Sequence, residues 1–375
     1  MWLHGACLAW TLSSLACAQH PAKSPTPPVI HATPTVITPH DDEAPIAKFQ
    51  RARALLQAGR FAEAGQLFDE LVGGNHSAEM SQVAGFNAGV AWEQTGDREK
   101  ALSRFRTVAG SYPVGDAGKW SALRSARLDA YLEQWSPLSA MADLLLARTD
   151  LTDTERIEAY GAKALALVEA GDADAAERHL SRARDVIDRL RLGEGGKLPL
   201  EVAQVQFALG EVRKLRSEAI VFVPLPPNFT DALERRCQGL LDAQSAYSDA
   251  TRSYDAHWAA MSGYRVGELY HRLHQDVLAM PLPKAATTTS KKQLFEGAMR
   301  LRYRVLLEKG LKMMEHTVAL GERTGEASTW IERAREAKRQ LAAALAEQKE
   351  LLAKLPYSEQ ELQKALDDLA KPKRP

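Results

Sequence analysis

The chain has 375 residues, enough for two ordinary domains or for one extended repeat array. Hydrophobic residues make up 45% of it, sufficient for a core. Lys plus Arg and Asp plus Glu balance at 48 each, so no overall field selects nucleic acid or an acidic substrate. No run approaches the roughly eighteen uninterrupted apolar residues of a spanning helix.

Residues 1–18 contain no Lys, Arg, Asp or Glu, and Leu8 to Ala18 is mostly apolar or small. Ala16-Cys17-Ala18 fits a small-x-small cleavage site before Gln19, although Met1-Trp2-Leu3-His4 lacks the usual basic start. Ser14-Leu15-Ala16-Cys17 also resembles a bacterial lipobox, which implies Cys17 as the lipidated residue; Ser14 departs from the leucine usual at that place. A leader over 1–18 is the expectation, cleaved or lipidated, with an uncleaved cytosolic chain as the alternative. Residues 19–44 form an expected disordered linker. Seven prolines between His20 and Pro45 stiffen it toward polyproline II, with a reach on the order of 80 Å. Removal of the leader leaves Cys237 as the single cysteine, so the fold does not rest on disulfides, and a buried, inert role is expected for it.

From residue 45 a pattern of Ala-x-x-x-Phe-x-x-small recurs behind a Gly-Asp or Gly-Arg turn. One copy has Gly59-Arg60-Phe61, Ala64, Phe68 and Leu71; the fullest has Gly89, Gly96-Asp97-Arg98, Ala101, Phe105, Val108 and Pro113; another has Gly171-Asp172-Ala173, Ala176, Leu180 and Ala183. Gly59 to Gly96 is 37 residues and Gly96 to Gly171 is 75, so the second gap holds two units. Four helix pairs are predicted over 45–190. The third is degenerate, with Gln134-Trp135 placed at the Gly-Asp turn and Asp143 at the aromatic position.

Two longer units follow over 199–325. Val205 to Val212 and Gly263 to Tyr270 repeat one first-helix design, with Gly210 and Gly267 at the close-contact position. Each precedes an apolar, proline-containing insertion, Val221-Phe222-Val223-Pro224-Leu225-Pro226-Pro227 and Leu278-Ala279-Met280-Pro281-Leu282-Pro283. Each then resumes with second-helix spacing, at Ala243, Tyr247 and Ala250 and at Gly310, Met314 and Thr317. These insertions are expected either to pack along a neighbouring helix or to extend a binding surface. Residues 326–370 read as terminal capping helices, with Ile331, Ala334, Leu341, Leu345, Leu352 and Leu355 near heptad spacing; a coiled coil with another chain is the alternative.

The pattern in these units resembles the tetratricopeptide repeat. The resemblance implies an all-α, right-handed helical solenoid with a C-terminal cap, and a protein or peptide partner held in a concave groove lined by the first helices. The family's fifth positions fall on Phe49, Phe86, Arg124, Gly161, Phe207 and Tyr264, and its ninth on Arg53, Val90, Leu128, Leu165, Glu211 and Glu268. The groove is therefore expected to use Phe49, Arg53, Phe86, Val90, Phe207, Glu211, Tyr264 and Glu268. The competing expectation is that the aromatic positions pack against the adjacent unit. Leader, linker and array together are similar to bacterial envelope tetratricopeptide lipoproteins, including components of outer-membrane assembly and gliding-motility complexes. That implies a periplasmic or outer-membrane scaffold; a cytosolic adaptor tied to an enzyme complex is the alternative.

Chemistry-bearing constellations are few. Glu268-x-x-His271-x-x-His274 places three possible ligands on one stripe, but no second such motif exists to complete a helical metal site, so no metal is expected. Gly193-Glu194-Gly195-Gly196-Lys197 lacks the hydroxyl after Lys and the first glycine of a phosphate loop, and reads as a linker. There is no Gly-x-Ser-x-Gly elbow. Neither cofactor nor catalytic residue is expected, and neither is a nucleic-acid partner.

Overall fold

A computed structural model describes residues 43–74, 77–282 and 286–370; the leader, Cys17 and most of the linker lie outside these. Among the described residues there are fourteen helices and no strand. Clustering by proximity divides them at Arg191/Leu192 into two compact units.

The 43–191 unit holds four helix hairpins. They are α1 (Glu43–Gln57) with α2 (Phe61–Val72), α3 (Ala78–Thr95) with α4 (Arg98–Ser111), α5 (Asp116–Tyr131) with α6 (Trp135–Leu146), and α7 (Asp153–Glu169) with α8 (Ala173–Arg189). Gly59, Gly96 and Gly171 take left-handed backbone (φ +76°, +86° and +87°) and stop the first helices. Asp97 and Asp172 then cap the second helices by accepting from Lys100 N and Ala175 N. At α7 a capping box joins Thr152 and Glu155.

These turns correct the register of the third hairpin. Its left-handed residue is Glu133 (φ 56°), and Gln134 is the N-cap of α6. Glu133-Gln134, not Gln134-Trp135, thus stands at the Gly-Asp turn. The positions equivalent to Ala101, Phe105 and Val108 are Leu138, Ala142 and Leu145, all fully buried, while Asp143 is exposed. The first-helix positions move back by one as well, to Leu123 and Arg127.

Hairpins close where a small residue on the first helix meets a larger one on the second. A Cβ placed on Gly89 would lie 2.5 Å from the Phe105 ring, and Ala52, Ala126 and Ala164 occupy the same register, fully buried. Each hairpin leaves an apolar side open, and its successor covers it: α2 packs on α3, α4 on α5 and α6 on α7.

The 192–370 unit repeats the device at greater length. It comprises α9 (Leu200–Glu218), α10 (Phe229–Thr251), α11 (Ala256–Leu278), α12 (Thr289–Thr324), α13 (Thr329–Ala353) and α14 (Glu359–Ala370). Gly210 faces the Tyr247 ring at 2.5 Å from a notional Cβ, and Gly267 faces the Met314 methyl at 2.6 Å. Helix α13 returns along α12, burying Ala334 and Leu341 against Leu307, Met314 and Val318. Its apolar seam is covered within this chain, and α14 closes the other end of α12 through Leu362 against Gly297. Glycines 193 and 196 wrap an arginine: Arg252 donates to the Gly193 and Gly196 carbonyls at 2.9 and 2.8 Å. Among the described residues the fold is all-α: each unit is built of stacked, tetratricopeptide-like helix hairpins, and the second ends in capping helices.

Candidate protein-binding surfaces

First helices of successive hairpins touch one another within each unit: α3 with α5, α5 with α7, α9 with α11, and α11 with α13. Charged side chains bridge these contacts. In the first unit Arg124 of α5 donates to Glu93 of α3, and Arg127 donates to Glu158 of α7 at 2.8 Å. Lys119 lies 3.3 Å from Glu155. These groups are mostly covered, so their ion pairs are screened less than pairs on an open surface. Burial acts against the Arg127 charge, but Glu158 and its neighbours outweigh it and hold the guanidinium well above its ordinary value.

In the second unit the bridge is Arg265 of α11. Its Nε donates to Glu211 Oε1 on α9 at 2.7 Å, and its Nη1 donates to Glu268 at 2.9 Å. Tyr247 Oη donates to the same Glu211 oxygen at 2.8 Å. Burial, then the Glu211 charge, pushes the Tyr247 hydroxyl well above its ordinary value, so it stays a donor. Arg265 also lies 5.1 Å from the Trp330 ring centroid, with Arg333 at 4.5 Å.

The sequence-derived groove set divides sharply against this geometry. Phe49, Phe86 and Phe207 are 0–2% exposed and Val90 is 1% exposed, so none of them presents surface to a partner. Phe49 stacks edge-on to Phe68 at 5.4 Å. Phe86 lies 5.7 Å from Phe105 and 6.1 Å from Trp120 of the next hairpin, and Phe207 lies 5.3 Å from Tyr247 and 5.4 Å from Trp258. These aromatics are the joints of the stack, as the competing expectation had it. The physical reason is the small residue three places further on, which admits the second helix so closely that its ring covers the aromatic. Glu211 is also buried, as an acceptor in the Arg265 bridge. Arg53, Tyr264 and Glu268 keep partial exposure. The residues that do reach this face from α5, Arg124 and Arg127, were absent from the set; Arg127 was hidden by the one-residue register error in that hairpin.

The Glu268–His271–His274 stripe is not a ligand set. His274 is buried, with its Nε2 3.3 Å from Gln348 Nε2, and His271 Nε2 lies 3.1 Å from Gln275 Nε2. Burial, reinforced by His271 and Arg300, depresses His274 to about 4. Among the described residues no three His, Cys, Asp or Glu side chains gather as a metal site would require. Cys237 is buried. No helix of the described residues is long and apolar enough to cross a membrane.

The architecture is that of a tetratricopeptide-like repeat protein. No family model matches the chain, and no curated protein matches it. Among solved structures it is similar to a tetratricopeptide repeat protein from Parabacteroides merdae, at 10% identity and a TM-score of 0.41, over 78% of this chain and all of that one.

Proposed function

We propose that the chain is a non-catalytic scaffold that holds a protein partner on the first-helix faces of its hairpins, exported to the bacterial envelope behind the 1–18 leader and linker. The observation that supports this is the paired charge that each unit carries on its own first helices: Glu93 with Arg124 and Arg127 with the buried Glu158 in the first, and Arg265 with Glu268 and the buried Glu211 in the second. Within either unit such charges set register and orientation for a segment laid across them, because each wrong placement opposes like charges. Arg53 of the first unit and Tyr264 of the second are also half-exposed on their first helices. Affinity capture with the full chain, followed by mass spectrometry, identifies the partner. Reversal of Arg124 to Glu is expected to remove that partner from the captured set, and its unchanged recovery would sink the reading. The export half has its own test: N-terminal sequencing of the mature protein, where an intact Met1 contradicts it.

A further inference from the structure

Gln348 of α13 is buried where that helix closes over α11 and α12, and its amide nitrogen meets two groups. It donates to the Arg300 carbonyl of α12 at 3.2 Å and lies 3.3 Å from Nε2 of His274 on α11, which is buried too. The carbonyl fixes which way the amide points, because turning it over would set Gln348 Oε1 against another acceptor. His274 Nε2 must therefore accept, so the ring fits this site only as the neutral tautomer with its proton on Nδ1.

A protonated ring has no good arrangement here. With the amide as it stands, two N–H groups oppose each other; with the amide turned, Oε1 opposes the Arg300 carbonyl. The surrounding charges give no relief. His271 on the same helix and Arg300 on α12 both add to burial in disfavouring a charge on His274. Asp276 is taken by Arg236 of α10 and by Arg272, and Glu268 and Glu211 of α9 are taken by Arg265. On α13 the charged neighbours of Gln348, Glu347 and Lys349, are exposed. Either side of this polar contact the seam is apolar, with Leu341 against Gly310 and Leu355 against Gly297.

We infer that the C-terminal half of α13 is an acid-released strap, which protonation of His274 frees from α11 and α12 while the helix pairs beneath it stay folded. Ala334 and Leu341 hold the N-terminal half on Leu307, Met314 and Val318, so the opening starts at Gln348 and runs toward Leu355. It uncovers the apolar surface of α12 that Leu355 closes at Gly297. The strap is separate from the charged first-helix pairs, so its failure leaves the reading above standing, and the converse also holds.

Hydrogen exchange of the full chain at pH 7 and pH 4.5, corrected for intrinsic rates, tests this. His274 is depressed from 6.5 to about 4, so opening is linked to protonation across that range. The segment around Gln348 is expected to exchange on the order of fiftyfold faster at pH 4.5, while α9 and α10 keep their protection. His274→Gln, which cannot titrate there, should remove the acceleration. Gln348→Glu gives the imidazolium a carboxylate and should reduce the ratio of the two rates. No acceleration in the unmodified chain, equal acceleration in His274→Gln, or simultaneous loss of protection in α9 and α10 overturns the proposal. An undiminished ratio in Gln348→Glu does so as well, and that variant decides the matter should His274→Gln fail to fold.

Discussion

Arg106 on α4 donates to Asp129 on α5 at the register where, one hairpin earlier, Trp92 on α3 donates to Asp69 on α2 at 3.0 Å. Both pairs span 23 residues, and donor and acceptor have exchanged sides. At these two junctions a polar brace thus joins a second helix to the next first helix, with interchangeable chemistry. The two braces differ in cost. Asp129 is fully buried, and one of its oxygens, Oδ2, has no partner.

That burial makes stability depend on pH in opposite directions in the two units. Asp129 is pushed up to about 6 by burial, which Arg106 only partly offsets. Its contribution is therefore complete below about pH 4, where both states are protonated, and is lost as pH rises to about 6. His274 is depressed to about 4, again chiefly by burial. The unfolded chain takes up that proton first, so the 192–370 unit loses stability as pH falls from about 6.5 toward 4. Hydrogen exchange followed from pH 7 to pH 5 should show the Asp129 region gaining protection and the His274 region losing it. Asp129→Asn should raise the melting temperature of the first unit most at pH 8, less at pH 5, and scarcely at all below about pH 4. Gln134, which already accepts from Arg106 at 2.7 Å, retains the arginine.

Glu133 holds a left-handed backbone where three other first helices end in glycine. An L side chain there costs about 1–2 kcal/mol. Glu133→Gly is expected to stabilise the protein by about 1 kcal/mol in urea unfolding. A destabilisation would mean that the side chain's own contacts outweigh the strain.

The Glu133 turn also shows what could and could not be read from the chain. Glycine turns, small-residue crossings and aromatic partners follow a fixed spacing, so the hairpins of 45–190 and both long units were legible, as was the capping role of α13. In the third hairpin no glycine marks the turn, and the register slipped by one residue, which hid Arg127 behind Leu128. The site was less legible. Spacing fixes which face of a helix an aromatic lies on, but whether it is covered depends on the neighbouring helix. Gly89 and Gly210 let Phe105 and Tyr247 approach so closely that Phe86 and Phe207 are enclosed. The Arg265–Glu211 bridge joins residues 54 apart, and no local pattern announces such a pair.

That bridge gives a third test. Arg265 and Glu211 are both largely covered, so removing one partner strands a charge, whereas removing both does not. Arg265→Leu should lower unfolding free energy by about 3 kcal/mol, with the Arg265→Leu/Glu211→Leu pair recovering only part of it, because the buried Tyr247 hydroxyl then lacks its acceptor. Additive losses in the double-mutant cycle would show that the two residues act independently.

The repeat aromatics are joints of the stack. Equilibrium unfolding of Phe86→Ala tests this most directly. Phe86 is fully enclosed by Phe105 and Trp120, so its truncation is expected to cost about 3–5 kcal/mol. An unfolding free energy equal to that of the unmodified chain would contradict the account and return Phe86 to the groove.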